Sequence, residues 1–361
     1  MAIELWDSRD LYELRQDLRL DLVPDYFWRN FFATDYFSEN ETIRFADLPV
    51  PHRKLAPFVM PTSQGKPIFE RRGESVEAFQ PAYIKVKDAV RVVEARNVRP
   101  SEIWREGGLP SLQSRFDSRV AEVAAYHLRA IDMQKSWMAA RAFIDAQLVI
   151  QYHADQGADH PEVTIDFKRD PALEEVLTGT FWDDLTFDII GMLSDMSNTM
   201  YNAAHGGRPV QLLVGSEVAP YVGKNEGILK LLDTNIRGSE DTSVRRGISA
   251  IDQPLSYLGR IGGAGGLEMW TYKDVVEAPN GDMVDILNPK DALLIAPGAG
   301  GVMAHGAIYD IDAFEGGNIS VDVFPKMFKK NDPGDMYVMH QSAPLPVNAN
   351  PNKVAKMRVL A

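Results

Sequence analysis

The residues best equipped for chemistry are the seven histidines, the carboxylates and one glycine-rich run. His52, His127, His153, His160, His205, His305 and His340 are scattered. None forms an HExxH motif, and no pair shows metal-site spacing within a plausible helix. Cysteine is absent, which removes thiolate nucleophiles, cysteine metal sites and disulfides, and suits assembly in a reducing cytoplasm. There is no GxSxG elbow and no kinase signature. Asp184, Asp188 and Asp195 sit on or beside a helical stripe and could be called metal ligands, but as a solvated acidic face they need no metal, and that is the better reading. Carboxylates are abundant enough that an acid–base pair stays open as a reading. The run Gly259-Arg260-Ile261-Gly262-Gly263-Ala264-Gly265-Gly266 invites a phosphate cradle. Such a cradle needs a helix directly after the glycines. Here Leu267-Glu268-Met269-Trp270-Thr271-Tyr272 alternates like a strand, so a flexible loop is the better reading. No catalytic, cofactor-binding or metal residue is assigned.

The bulk numbers point the same way. A chain of 361 residues is long for one core and implies at least two lobes. A hydrophobic share of 45% and a charged share of 25% describe a folded protein. The formal charge of −13 and dispersed basic residues argue against a nucleic-acid-binding surface. Met1-Ala2-Ile3-Glu4-Leu5-Trp6-Asp7 lacks a signal-peptide pattern. No apolar run reaches bilayer length, so no membrane partner is expected.

Several elements follow from periodicity. Leu11, Leu14, Leu18 and Leu22 have helical spacing, and Pro24 ends that stretch. The aromatic run Tyr26-Phe27-Trp28-Arg29-Asn30-Phe31-Phe32, with Tyr36 and Phe37 behind it, is too dense to leave in water. It either packs on the chain's own core or forms an arm partly buried against a neighbouring copy. The strongest helix signal begins after Pro110. Leu112, Phe116, Val120, Val123, His127, Ile131, Met138 and Ala142 mark one face, with a wide gap before Met138. No proline or glycine interrupts Ser111 to Leu148, which allows a helix of about 55 Å. His127 on that face reads as a packed residue. Two strands, 148–152 and 163–167, should form a hairpin. Leu185, Ile189, Met192, Met196 and Met200 give a second helical stripe. Val210–Val214 reads as a buried strand entering a helix capped near Ser216, with a further helical segment from Ile228 to Leu232. Asn280-Gly281 predicts a turn pairing 268–276 with 283–287. The strand-like chain end suggests a return to the sheet beside the long helix.

One segment does not fit a self-sufficient domain. Phe58 to Val90 reads as a long hairpin with a tip at Arg72-Gly73-Glu74-Ser75. Prolines and glycines demote its limbs to exposed strands, and its few apolar residues cannot stabilise it alone. Loops of this length usually have a task, and an exposed limb of this kind suits contact with another copy.

The hairpin and the tail together resemble the major capsid (head) proteins of lambda-type tailed bacteriophages. The resembling residues are Phe31-Phe32, Tyr36 and Phe37; Val59, Pro61, Gly65, Arg71-Arg72-Gly73, Phe79 and Tyr83-Ile84-Lys85-Val86-Lys87; and Phe324-Pro325-Lys326 and Asp332-Pro333. His340-Gln341-Ser342-Ala343-Pro344-Leu345, Ala349-Asn350-Pro351 and Val359-Leu360-Ala361 complete the set. The Gln341-Ser342-Ala343-Pro344 block is the most specific, while residues 155–210 and the glycine loop depart from the pattern.

The resemblance implies an α+β, Hong-Kong-97-type phage capsid fold. It places an N-terminal arm at 1–55, an extended loop at 56–92 and a peripheral domain at 93–171 around a spine helix, 111–148. An axial domain at 172–320 and a return to the peripheral domain at 321–361 complete the layout. It implies a non-catalytic protein that assembles into hexamers and pentamers of an icosahedral shell around double-stranded DNA, the DNA being non-specific cargo. A cementing protein, a portal and a scaffold are implied partners, the virion its location and the bacterial host cytoplasm its place of assembly. Inter-subunit contact candidates are Phe31, Phe32, Tyr36, Phe37, Phe58, Ile68, Arg71, Arg72, Phe79, Tyr83 and Lys85. Two alternatives stand beside this: an encapsulin-like cage of the same fold, and an α/β enzyme using the acidic or glycine-rich segments.

Overall fold

The computed structural model describes residues 27–40, 42–45, 77–91, 111–151, 162–235, 243–244, 254–261, 266–278, 281–317, 319–330 and 335–361, with Leu11, Val93 and Arg96 besides. In chain order, a 3-10 turn at Phe27–Phe32 leads to strands β1 (Thr34–Phe37), β2 (Ile43–Phe45), β3 (Glu77–Phe79) and β4 (Ile84–Val90). Helix α1 (Leu112–Ile144), β5 (Gln147–Ile150), β6 (Val163–Asp166), β7 (Glu174–Val176) and α2 (Ile189–Asn202) follow. Next come β8 (Gln211–Gly215), α3 (Ala219–Val222), α4 (Glu226–Asn235), β9 (Ser243–Val244), β10 (Leu255–Ile261) and β11 (Leu267–Tyr272). The remainder is β12 (Val275–Glu277), β13 (Met283–Asp285), β14 (Asp291–Ile295), β15 (Gly301–His305), α5 (Ile311–Glu315), β16 (Phe324–Lys329), β17 (Met336–Ser342), β18 (Pro344–Asn348) and β19 (Val354–Arg358). Two units share the chain: Met1–Ile43, Gln80–Ala139 and Val302–Pro346 form the first, and Arg44–Phe79, Ala140–Gly301 and Val347–Ala361 the second.

In the first unit the long helix starts where Ser111 accepts from the Ser114 amide through its hydroxyl, satisfying a donor the helix leaves open. Its apolar stripe buries Phe116, Val120, Ala124, Ile131 and Met138. Phe116 and Val120 pack with Val90, Met336, Val338 and Leu11. That cluster ties the helix to the antiparallel sheet β16-β17-β4, in which Met336 faces Val90 and Ser342 faces Ile84. A second small sheet has the order β1-β15-β18, with β1 running parallel to β15.

The second unit is built on a seven-stranded sheet in the order β7-β19-β14-β8-β11-β10-β9. The interior strand β14 is buried at every position, as a strand covered on both faces should be. Leu193, Met196 and Met200 of α2 pack against Leu212, Val214, Leu294 and Met357 of the sheet, so the methionine stripe is core. The β5–β6 hairpin forms as expected, Leu148 facing Ile165.

Several expectations change. The long helix stops at Ile144, not Leu148, because Arg169 donates to the carbonyls of Phe143 and Ile144. Ala146 then takes φ +50° and the chain turns into β5. The acidic Asp188 is the N-cap of α2, its carboxylate accepting from the Gly191 amide. Helix α3 begins without a side-chain cap, so Ser216 does not serve as one. Leu267–Tyr272 pairs with β10 and β8 in the large sheet, leaving only β12 and β13 as the small hairpin. The glycine run thus links two antiparallel strands, with residues 262–265 outside the described ones. At the chain end, β16 and β17 do join the sheet beside α1, but β19 lies between β14 and β7 in the second unit. Val354, Ala355, Met357 and Val359 are buried there, and that apolar surface decides its place.

Candidate assembly surface

The residues expected to meet other copies fall into three groups. Phe58, Ile68, Arg71 and Arg72 lie outside the described residues. Phe32 is buried within the chain and Phe31 is half-buried, its ring edge-on to Phe27 at 5.3 Å. The outward-facing rings are Tyr36, 50% exposed, and Phe37, 47% exposed, on β1. Phe79 is half-buried, and it closes β3, which pairs with β2. Lys85 is exposed on β4.

Tyr83 has a more specific place. Its hydroxyl donates to Gln341 Oε1 and accepts from the Tyr309 amide at 3.3 Å. Burial raises its pKa above the usual tyrosine range, against the opposing hydrogen bond from the Tyr309 backbone. Gln341 Nε2 in turn donates to Asp310 Oδ2 at 2.8 Å, and Lys326 Nζ donates to Asp310 Oδ1 at 2.8 Å. Burial acts to raise the Asp310 carboxyl, but these donors outweigh it and hold it below the ordinary range. The neighbouring Ser342 hydroxyl donates to the Asp322 carbonyl, and the Ala343 carbonyl accepts from the Gly306 amide at 2.8 Å. The Gln341-Ser342-Ala343 block is therefore a polar clamp: it fixes the loop carrying α5 to β17. On that loop Tyr309, Ile311 and Phe314 are 58%, 68% and 70% exposed. Three large apolar side chains within six residues form a patch that water does not favour. Sequence reading missed it because Ile311 and Phe314 look like ordinary core residues of a short helix.

It also missed two buried polar clusters. His127 and His340 are both buried and bring their Nδ1 atoms to 3.0 Å, one of them carrying the shared hydrogen. His127 Nε2 lies 2.8 Å from Asp88 Oδ2. His127 is thus a packed, hydrogen-bonded residue. The second cluster centres on Lys135, fully buried in the wide gap of the helical stripe. Its ammonium pairs with Asp322 and lies 3.9 Å from Asp132. Burial pushes its pKa down, with Asp322 and Asp132 opposing. Asp132 also pairs with Arg29 at 3.4 Å. His305 completes the group, with Nε2 3.1 Å from Asp35 and Nδ1 3.5 Å from Asp322. Asp184 and Asp195 are exposed, and Asp184 is engaged by the Thr186 amide and hydroxyl.

This arrangement offers surfaces and supports for them, and solved structures with a similar fold exist. A capsid protein of an E. coli CFT073 prophage superposes with a TM-score of 0.69 at 16% identity, covering 98% of this chain and 99% of that one. A phage-related protein of Bordetella bronchiseptica RB50 aligns at a TM-score of 0.45 and 10% identity, with 96% of each chain covered. The superposition on the prophage capsid protein shows the fold to be that of a phage capsid protein. A family model described as phage major capsid protein E matches residues 19–359, and the chain belongs to that family. It is a structural, shell-forming protein of a phage, located in the virion and partnered by copies of itself. A comparison with curated proteins finds no match.

Proposed function

We propose that this protein builds the icosahedral head of a tailed bacteriophage, as hexamers and pentamers enclosing double-stranded DNA as non-specific cargo. The observation that carries the reading is the family match across nearly the whole chain. In this reading the second unit, with its seven-stranded sheet, acts as the axial domain and the first, with the long helix, as the peripheral domain. Residues 56–92 are the extended loop that lies over a neighbouring subunit, with its closing strand β4 paired to β17. Tyr36, Phe37, Tyr309, Ile311 and Phe314 supply apolar area that a second copy would cover. The role is non-catalytic, and the net charge of −13 keeps packaged DNA from adhering to the wall. A cementing protein, portal and scaffold join during assembly in the bacterial cytoplasm.

Size-exclusion chromatography and electron microscopy of the purified chain test the reading. Closed particles tens of nanometres across are the expected product. A stable monomer or dimer under all assembly conditions would overturn it.

A further inference from the structure

The aromatic stretch near the N-terminus divides into two parts held by different forces. Trp28 and Phe32 in the 3-10 turn are 0% and 1% exposed, so this part is anchored by apolar burial. Beyond it, all four residues of β1 are exposed. Among the described residues, β1 is held by its parallel pairing with β15 and by the side chain of His305. The imidazole is itself buried. Its Nε2 meets the Asp35 carboxylate at 3.1 Å, and its face stacks on Phe37 at 4.9 Å between centroids and 18° between planes. The His305 carbonyl accepts from the Ser38 amide at 2.9 Å.

The charges around this clasp are distributed unevenly. Arg29 and Lys135 face Asp132 and Asp322, two cations against two carboxylates, at contacts that do not involve β1. Asp35 feels Arg29 and Asp322 through space, but the side chain that meets its carboxylate is His305. Its carboxylate side chain is already 38% exposed. Lifting β1 returns Asp35 to water, leaves Arg29, Lys135, Asp132 and Asp322 paired among themselves, and leaves His305 its contact with Asp322 at 3.5 Å. No buried charge is stranded, which removes the main electrostatic penalty for such a movement.

We propose that Thr34–Phe37 is a releasable strap, clasped to β15 by His305 and able to detach while the Trp28–Phe32 anchor and the rest of the unit stay folded. Detachment opens the edge of β15, a row of backbone donors and acceptors that another strand can occupy. The strap is a property of the single chain and holds independently of how the shell is built.

Hydrogen exchange of the full-length, unassembled protein tests it, with Asp35→Asn and Phe37→Ala as variants. Both changes sit on exposed positions of the strap, outside the core. Each is expected to speed exchange of the 35–38 amides by about tenfold, the effect of losing one charge-assisted hydrogen bond or ring contact. Exchange in α1 and β17 should not change. Unaltered 35–38 amides in both variants would show that His305 is no clasp. Equal acceleration in α1 and β17 would show that β1 is an integral part of the unit. Either result overturns the proposal.

Discussion

Replacing Lys135 by Met tests whether the buried ion pair supports the helix-bearing unit. Lys135 is fully buried, and Met matches its length without its charge. Removing one partner of a buried pair costs about 3–5 kcal/mol, because the other charge is left without compensation. Here Asp322 keeps His305 Nδ1 at 3.5 Å and Asp132 keeps Arg29 at 3.4 Å. The cost should therefore lie near the lower end, at about 3 kcal/mol. Bulk unfolding of a two-unit chain is not a two-state event, so native-state hydrogen exchange of α1 and β16 amides is the better assay. A loss of that size speeds globally protected amides of this unit by about a hundredfold. Adding Asp322→Asn should recover most of it, since no buried carboxylate then stands alone. Unchanged exchange in Lys135→Met, or a double variant no better than the single, would refute the reasoning.

Four other outcomes are expected. Phe314→Asp should abolish particles while leaving circular dichroism of the soluble chain unchanged, since Phe314 is 70% exposed; normal particles would remove the patch from the assembly surface. Substituting a short Gly-Ser linker for residues 62–74 should leave both units folded and prevent stable shells, as read by electron microscopy. Gly215→Ala should destabilise the second unit by about 1–3 kcal/mol or more, because its Cβ would sit 2.3 Å from the Pro289 carbonyl oxygen; chemical denaturation of that unit's exchange-protected amides measures it. The Asp35 pKa is lowered below 3.8, chiefly by the hydrogen bond with His305. A lowered carboxylate contributes stability above its unfolded value and loses it as pH falls through the folded one. Strap protection should thus fade below about pH 4, and Asp35→Asn should lack that acid limb in amide exchange followed by NMR.

Much of the fold was legible because apolar periodicity reports burial directly. The stripe from Phe116 to Ala142 located the long helix, and the methionine stripe located α2. The run Gln211–Gly215 was readable as a buried strand for the same reason. Absence of a helix after the glycines was enough to set aside a phosphate cradle, and β10–β11 is the hairpin that explains it. The gap in the helical stripe was a real signal whose meaning could not be read. Lys135 fills it, and a lysine looks exposed until a partner from a distant strand region, Asp322, is known.

What the chain's own pattern determined is the identity of each apolar face, and with the resembling blocks near its ends, the family to which the protein belongs. Tertiary structure alone decided the long-range polar partners: Gln341 with Tyr83 and Asp310, His127 with His340, and His305 with Asp35. It also decided that the last strand enters the seven-stranded sheet and that Ile311 and Phe314 face outward. The physical reason is one of range. Hydrophobic burial is non-directional and leaves a periodic imprint on neighbouring residues. A hydrogen bond or ion pair joins two groups at one distance and angle, and nothing local to either residue names the other.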